Sequence, residues 1–163
     1  VSEAGEFVDY TLQMESTWEK AAEASERLGG SVKVYGASIG AVRGTVRDAL
    51  KRYKNLNHDD ITALSSELWA EPVFEKRLAA VVLLQTKVGI LINTDLTRIE
   101  GFIRRAGTRE LVDPLAADVV RPLLARLEGL AKERAERVLD RWAMDPDPEL
   151  QHAAALATGT ATS

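Results

Sequence analysis

Residues 61–90 read ITALSSELWA EPVFEKRLAA VVLLQTKVGI, and this stretch decides the fold class. Ile61, Leu64, Leu68 and Trp69 recur at the three- and four-residue spacing of a single helix face. Glu71-Pro72 then interrupts the period. Proline lacks a backbone N–H but has a φ already suited to a first helical turn, so Pro72 marks one helix ending and the next beginning. From about Val73 the chain is apolar on several sides at once, as a helix buried in a core must be. This second helix is expected to run to about Asn93. Gln85, Lys87 and Gly89 break its apolar run, which leaves it too short to cross a bilayer.

The same periodicity extends in both directions. Upstream, Phe7, Tyr10, Met14, Trp18, Ala21 and Leu28 form one stripe, and Gly29-Gly30 closes that segment as a helix stop should. A loop through Tyr35-Gly36 leads to Ser38, an N-cap candidate for a helix carrying Val42, Val46, Leu50 and Tyr53. Asn55 to Asp60 is a polar break. Downstream, Thr94 or Asp95 caps a short helix with Leu96, Ile99, Phe102 and Ile103, and Ala106-Gly107-Thr108 ends it. Leu115, Val119, Leu123, Leu124 and Leu127 follow Asp113-Pro114, in a run that Pro122 should kink or split. A charged amphipathic helix spans roughly Leu130 to Met144, and Asp145-Pro146-Asp147-Pro148 is a rigid turn before a last helix from Glu149 to Ala157. No stretch alternates as a strand would. Helix pairs recur instead at about 35 to 42 residues, the period of stacked helical repeats. The expectation is therefore an all-α fold of stacked antiparallel helix pairs, an α-solenoid, forming a single domain over 1–157 with a frayed tail at 158–163.

Composition narrows the chemistry. The 163 residues include no Cys, which removes disulfides, thiolate metal sites and cysteine nucleophiles. His58 and His152 are too few and too far apart for a zinc site. No basic segment followed by an apolar run opens the chain, so no secretory signal is read and a cytoplasmic location is expected. The net charge of −4 argues against a generally basic nucleic-acid binder, but the charge is segregated. Residues 31–58 carry six bases (Lys33, Arg43, Arg47, Lys51, Arg52, Lys54) against Asp48 alone, and 76–110 carry seven bases against three acids. Such blocks are either solvated faces or surfaces placed for phosphates.

In Glu67-Leu68-Trp69-Ala70-Glu71-Pro72, followed by Glu75, Ala79 and Ala80, the chain resembles the DNA alkylation repair family, the AlkD-like glycosylases built from HEAT-like repeats. Glu19-Lys20-Ala21 and the passage from Tyr35-Gly36 to Arg43 sit at the family's offsets, with Gly40 where proline is common. Arg109-Glu110-Leu111-Val112-Asp113 is similar to its Trp-Asp-x-Val-Asp segment, and Leu150-Gln151-His152-Ala153-Ala154 to its Leu-x-Arg-Ala-Ala segment. The likeness runs from about Glu19 to Ala155, and family members normally continue through further helices, so the chain reads as truncated at the C-terminus.

The resemblance implies a monofunctional DNA glycosylase that releases cationic N3- and N7-alkylpurines from duplex DNA without base flipping, as a monomer by default. It implies no cofactor, no metal and no membrane partner. Alkylation leaves a positive charge on the base, so the leaving group departs without prior protonation and one carboxylate can suffice. Asp113 is the match for that catalytic carboxylate. Read on its own, Asp113 before Pro114 is equally a helix N-cap. Arg109 stands where the family has an aromatic residue, and His152 where it has an arginine. The implied DNA contacts are Arg43, Arg47, Lys51, Arg104, Arg105, Arg109 and His152. The alternative is a non-catalytic helical scaffold that binds DNA or protein. Gly36, Gly40 and Gly44 match no phosphate loop and read as one loop glycine and two helix-packing positions. Asp145, Asp147 and Glu149 imitate a calcium loop, but the intervening prolines favour a turn. Trp18, Trp69 and Trp142 read as packing residues.

Overall fold

The computed structural model describes residues 1–159. They are helical throughout, and the one strand-like feature among them is an isolated bridge between Lys33 and Val73. They divide into two compact units, Val1–Leu84 and the residues from Gln85 onward.

The first unit holds α1 (Glu3–Met14), α2 (Trp18–Leu28), α3 (Ile39–Arg52), α4 (His58–Ala70) and α5 (Phe74–Thr86). The single N-terminal helix expected from the stripe is two helices. Glu15 to Thr17 separate them, and the Thr17 side chain accepts from the Lys20 N–H to start α2. The core face of α1 is accordingly Ala4, Gly5, Val8 and Leu12, whereas Tyr10, Met14 and Trp18 are exposed. Sequence period alone favoured the bulkier stripe, but the small residues let α1 approach α3 and α4 closely. Ser38 caps α3 as expected, and Asn57 with Asp60 forms a capping box at α4.

Helix α5 is buried from Phe74 to Leu84, including Glu75, Lys76 and Arg77. It ends at Thr86 rather than near Asn93, because Lys87 to Asp95 fold into two short tight turns. Each buried charge has a partner, as burial requires. The Glu75 carboxylate accepts from the Tyr35, Gly36 and Ala37 N–H groups at 2.8, 2.9 and 3.2 Å. Lys76 pairs with Glu71 at 3.2 Å, and the Arg77 guanidinium lies 5.0 Å from the centre of the buried Trp69 ring. The loop before α3 is thereby fastened to the first turn of α5, which the bridge at Lys33 reinforces (Lys33 N–H to Pro72 O, 2.9 Å; Phe74 N–H to Lys33 O, 2.8 Å). Gly36 is a loop glycine, as expected, with φ of 101°. Gly40 is exposed rather than packed.

The second unit holds α6 (Leu96–Arg104), α7 (Arg109–Pro114), α8 (Arg121–Arg126), α9 (Gly129–Met144) and α10 (Pro148–Thr158). Between α7 and α8 the rod widens into a π-helical segment, Leu115–Val120, in which the Arg121 N–H reaches back to Ala116 O. Pro122 follows in the first turn of α8, and Val120 and Arg121 keep helical backbone angles, so the run widens ahead of the proline rather than being split by it. α10 packs against α6, α7, α8, α9 and the π segment. Trp142 is buried in this unit, as Trp69 is in the first, whereas Trp18 is not a packing residue. Of the expected tail, Thr158 ends α10 and Gly159 provides the left-handed stop. Residues 160–163 lie outside the described residues.

Candidate functional site

The site grows from two short helices of the second unit. Thr108 accepts from the Glu110 N–H at 3.2 Å and starts α7. Leu111 and Val112, then Leu115 and Ala116 a turn later, are buried. That register leaves Arg109 and Asp113, four residues apart, together on the exposed side. Asp113 is therefore inside α7, and its reading as an N-cap is overturned. The helix starts a full turn earlier because Thr108 is the better-placed cap and Leu111-Val112 supply the first buried pair.

On α10 the Asp147 carboxylate accepts from the Glu149 N–H at 2.9 Å, and Pro148 occupies the first turn. Leu150, Ala153, Ala154 and Ala157 form the buried face. Glu149 and His152, three apart, share the other side and meet the α7 pair.

Four side chains close into one chain of contacts. His152 Nε2 lies 2.7 Å from Asp113 Oδ1, and His152 Nδ1 lies 3.3 Å from Arg109 Nη1. Arg109 Nε donates to Glu149 Oε2 at 2.9 Å. Asp113 Oδ2 has no hydrogen-bond partner among the described residues. The Asp113 side chain is 51% exposed and that of His152 26%, so the carboxylate is open to a ligand while the imidazole is more enclosed. Two carboxylates face one guanidinium, which leaves the surface electronegative unless the imidazole is charged.

A second cluster lies beside the turn that starts α10. Arg104 meets Asp145 at 2.7 Å, Glu100 at 3.3 Å and Asp147 at 3.8 Å. Glu100 Oε1 also accepts from Trp142 Nε1 at 2.8 Å. The Arg104 hydrogen bond, aided by the Asp147 N–H, holds the Asp145 carboxyl below the usual carboxylate range. The same bond raises the guanidinium further. Asp145 and Asp147 thus hold a turn and an arginine, the arrangement of a turn rather than of a calcium loop.

Residues 8–163 match the family described as DNA alkylation repair enzyme. The chain belongs to that family. No curated protein matches it. Family membership gives the chain a role in DNA repair and points to DNA as its partner. Among the described residues, no helix is long and apolar enough to cross a membrane, and no group of three or more potential ligands could hold a metal.

The structure brings Asp113 together with Arg109, from the same segment, and with His152, from the later one. Arg104 sits in the neighbouring cluster, and Arg105 is exposed at the end of α6. Arg43, Arg47 and Lys51 lie in the first unit, exposed at four-residue spacing along α3, with Asp48 3.9 Å from Arg47. Sequence reasoning missed Glu149 as a site residue, reading it only as the end of the proline turn and the start of the last helix. The available signal was a matched pair of spacings, Arg and Asp four apart on one helix, Glu and His three apart on another.

Proposed function

We propose that this chain is a monofunctional DNA glycosylase that releases cationic N3- and N7-alkylpurines from duplex DNA. The observation that supports this reading is Asp113, an exposed carboxylate with one oxygen held by His152 and the other without a partner among the described residues. Breaking the glycosidic bond of an alkylated purine builds positive charge on the deoxyribose while the base leaves neutral. No general acid is required, and a carboxylate next to the sugar both stabilises the cation and orders the attacking water. Arg109, in the place of the family's aromatic, would repel such a cation if it were unpaired. Its pairing with Glu149 offsets that charge.

The bases of α3 supply phosphate contacts in this reading, and the base is released without being extruded from the helix. The test is incubation with DNA carrying N7-methylguanine. Release above the spontaneous rate, lost in Asp113→Asn, is the expected result. No release, or equal release by the variant, sinks the catalytic reading.

A second reading is favoured by Arg109 itself, since the cationic side chain replaces an aromatic face that would attract the substrate. In that reading the protein binds duplex DNA without releasing any base, and binding falls steeply with salt.

A further inference from the structure

The contact between His152 and Arg109 decides more than the shape of the site. A guanidinium has N–H donors and no acceptor, so Arg109 Nη1 can bond His152 Nδ1 only if that nitrogen carries a lone pair. The proton of a neutral imidazole must then sit on Nε2, where it points along the 2.7 Å line to Asp113 Oδ1. The other tautomer would present a lone pair to the carboxylate and an N–H to the guanidinium, two wrong pairings at once. The doubly protonated ring would keep the first contact and still set donor against donor at the second. Glu149 completes the arrangement, because its carboxylate takes Arg109 Nε at 2.9 Å and keeps the guanidinium from turning away.

We propose that His152 is a positioning residue for Asp113, locked by Arg109 and Glu149 in the tautomer that donates from Nε2 to Asp113 Oδ1. The inference rests on the glycosylase reading for its consequence, since Asp113 is the group it positions. Arg109 accordingly serves as the tautomer lock rather than as a face for the substrate. The chain of bonds runs Glu149, Arg109, His152, Asp113, and it crosses between α10 and α7 at both ends. An exposed carboxylate on a six-residue helix otherwise has several rotamers open to it. One bond to Oδ1 selects among them and leaves Oδ2 to the sugar and its water.

Two measurements on the full chain test this. The first reads the nitrogen chemical shifts of His152 in the protein without DNA at neutral pH. Nδ1 should show the shift of an unprotonated nitrogen and Nε2 that of a protonated one, and Arg109→Leu should shift the tautomer balance. An Nδ1-protonated ring, a doubly protonated ring, or a signal indifferent to Arg109→Leu overturns the lock. The second measures single-turnover release of N7-methylguanine at saturating protein. His152→Phe keeps a ring and removes the donor, and should slow release about tenfold to hundredfold, the range of a hydrogen bond to a charged group. His152→Gln restores an N–H near the position of Nε2 and should recover most of the rate. Because release is measured at saturating protein, a change in DNA affinity in either variant does not enter the rate. Full activity in His152→Phe, with Asp113→Asn inactive, overturns positioning and leaves the glycosylase reading intact. Loss of activity in His152→Phe that Gln does not restore overturns it equally. If the unmodified protein releases no base, the glycosylase reading falls and takes the catalytic consequence with it, while the nitrogen shifts still decide the tautomer lock.

Discussion

At the scale of single residues, Gly36 and Glu75 show how one loop is held. A Cβ at Gly36 would stand 2.4 Å from Thr17 O and 2.6 Å from Ala21 N, both backbone atoms of the α2 start, and the residue's φ is positive. Gly36→Ala should therefore cost about 2–5 kcal/mol, from the left-handed backbone and the overpacking together, read as a lower urea midpoint. Glu75→Gln keeps the shape but replaces an acceptor oxygen by an NH2 group facing backbone donors. It should cost about 2–3 kcal/mol by the same measurement. Arg104 and Asp145 supply a pH-dependent contribution. The Asp145 carboxyl titrates below its ordinary range in the folded protein, so the pair stabilises the fold above that range. That stabilisation is lost as pH falls through the folded value. The urea midpoints of the protein and of Asp145→Asn should differ at neutral pH and converge as acid protonates the carboxyl. A gap that persists in acid would assign the effect of Asp145 to its bond with the Asp147 N–H instead.

At the scale of elements, the caps and breaks were the most legible part of the sequence. Ser38, the polar break at Asn55 to Asp60, the Ala106–Thr108 break and the proline turn before α10 all follow from local chemistry that acts within four residues. The faces were less legible. Tyr10, Met14 and Trp18 hold a perfect helical spacing yet are exposed, because periodicity ranks residues by apolarity and not by how closely two backbones can approach. The same limit hid the site. Asp113 before Pro114 satisfies every local rule for a cap, and only the burial of Leu111 and Val112 places the start of α7 at Thr108 instead. The charge pairing of Arg109 with Glu149 joins residues 40 apart in sequence, which no local pattern encodes. The assignment can be measured. Thr108→Ala should cost about 0.5–2 kcal/mol of stability as a lost cap. Asp113→Ala should stay within about 0.5 kcal/mol, since an exposed mid-helix position gains in helix propensity what it loses in one exposed hydrogen bond. The reverse ranking would return the capping role to Asp113.

At the scale of the whole molecule, the net charge of −4 sets the background against which DNA must be held. A uniformly acidic surface would repel a polyanion, so binding has to be local, and the segment 31–58 with its six bases and one acid is where the sequence concentrates positive charge. Arg43, Arg47 and Lys51 occupy successive turns of α3, whereas the carboxylate belongs to α7 in the other unit. Affinity and chemistry should therefore respond to different substitutions. If each of the three α3 bases neutralises one phosphate, the logarithm of the binding constant should fall with the logarithm of salt at a slope of about −3 from these contacts. Replacing all three by Gln should remove about that much of the slope and weaken binding alike for normal and alkylated duplexes. At saturating protein the bound lesion should still be released at the unmodified rate, since none of the three is a partner of Asp113. Reversing the charges of Arg43 and Arg47 should also weaken binding and flatten its dependence on salt, because two attractions to phosphate become repulsions that salt screens. An unchanged slope in the triple variant would move the phosphate contacts off α3, and a slowed release at saturation would show that α3 also orients the lesion toward the carboxylate.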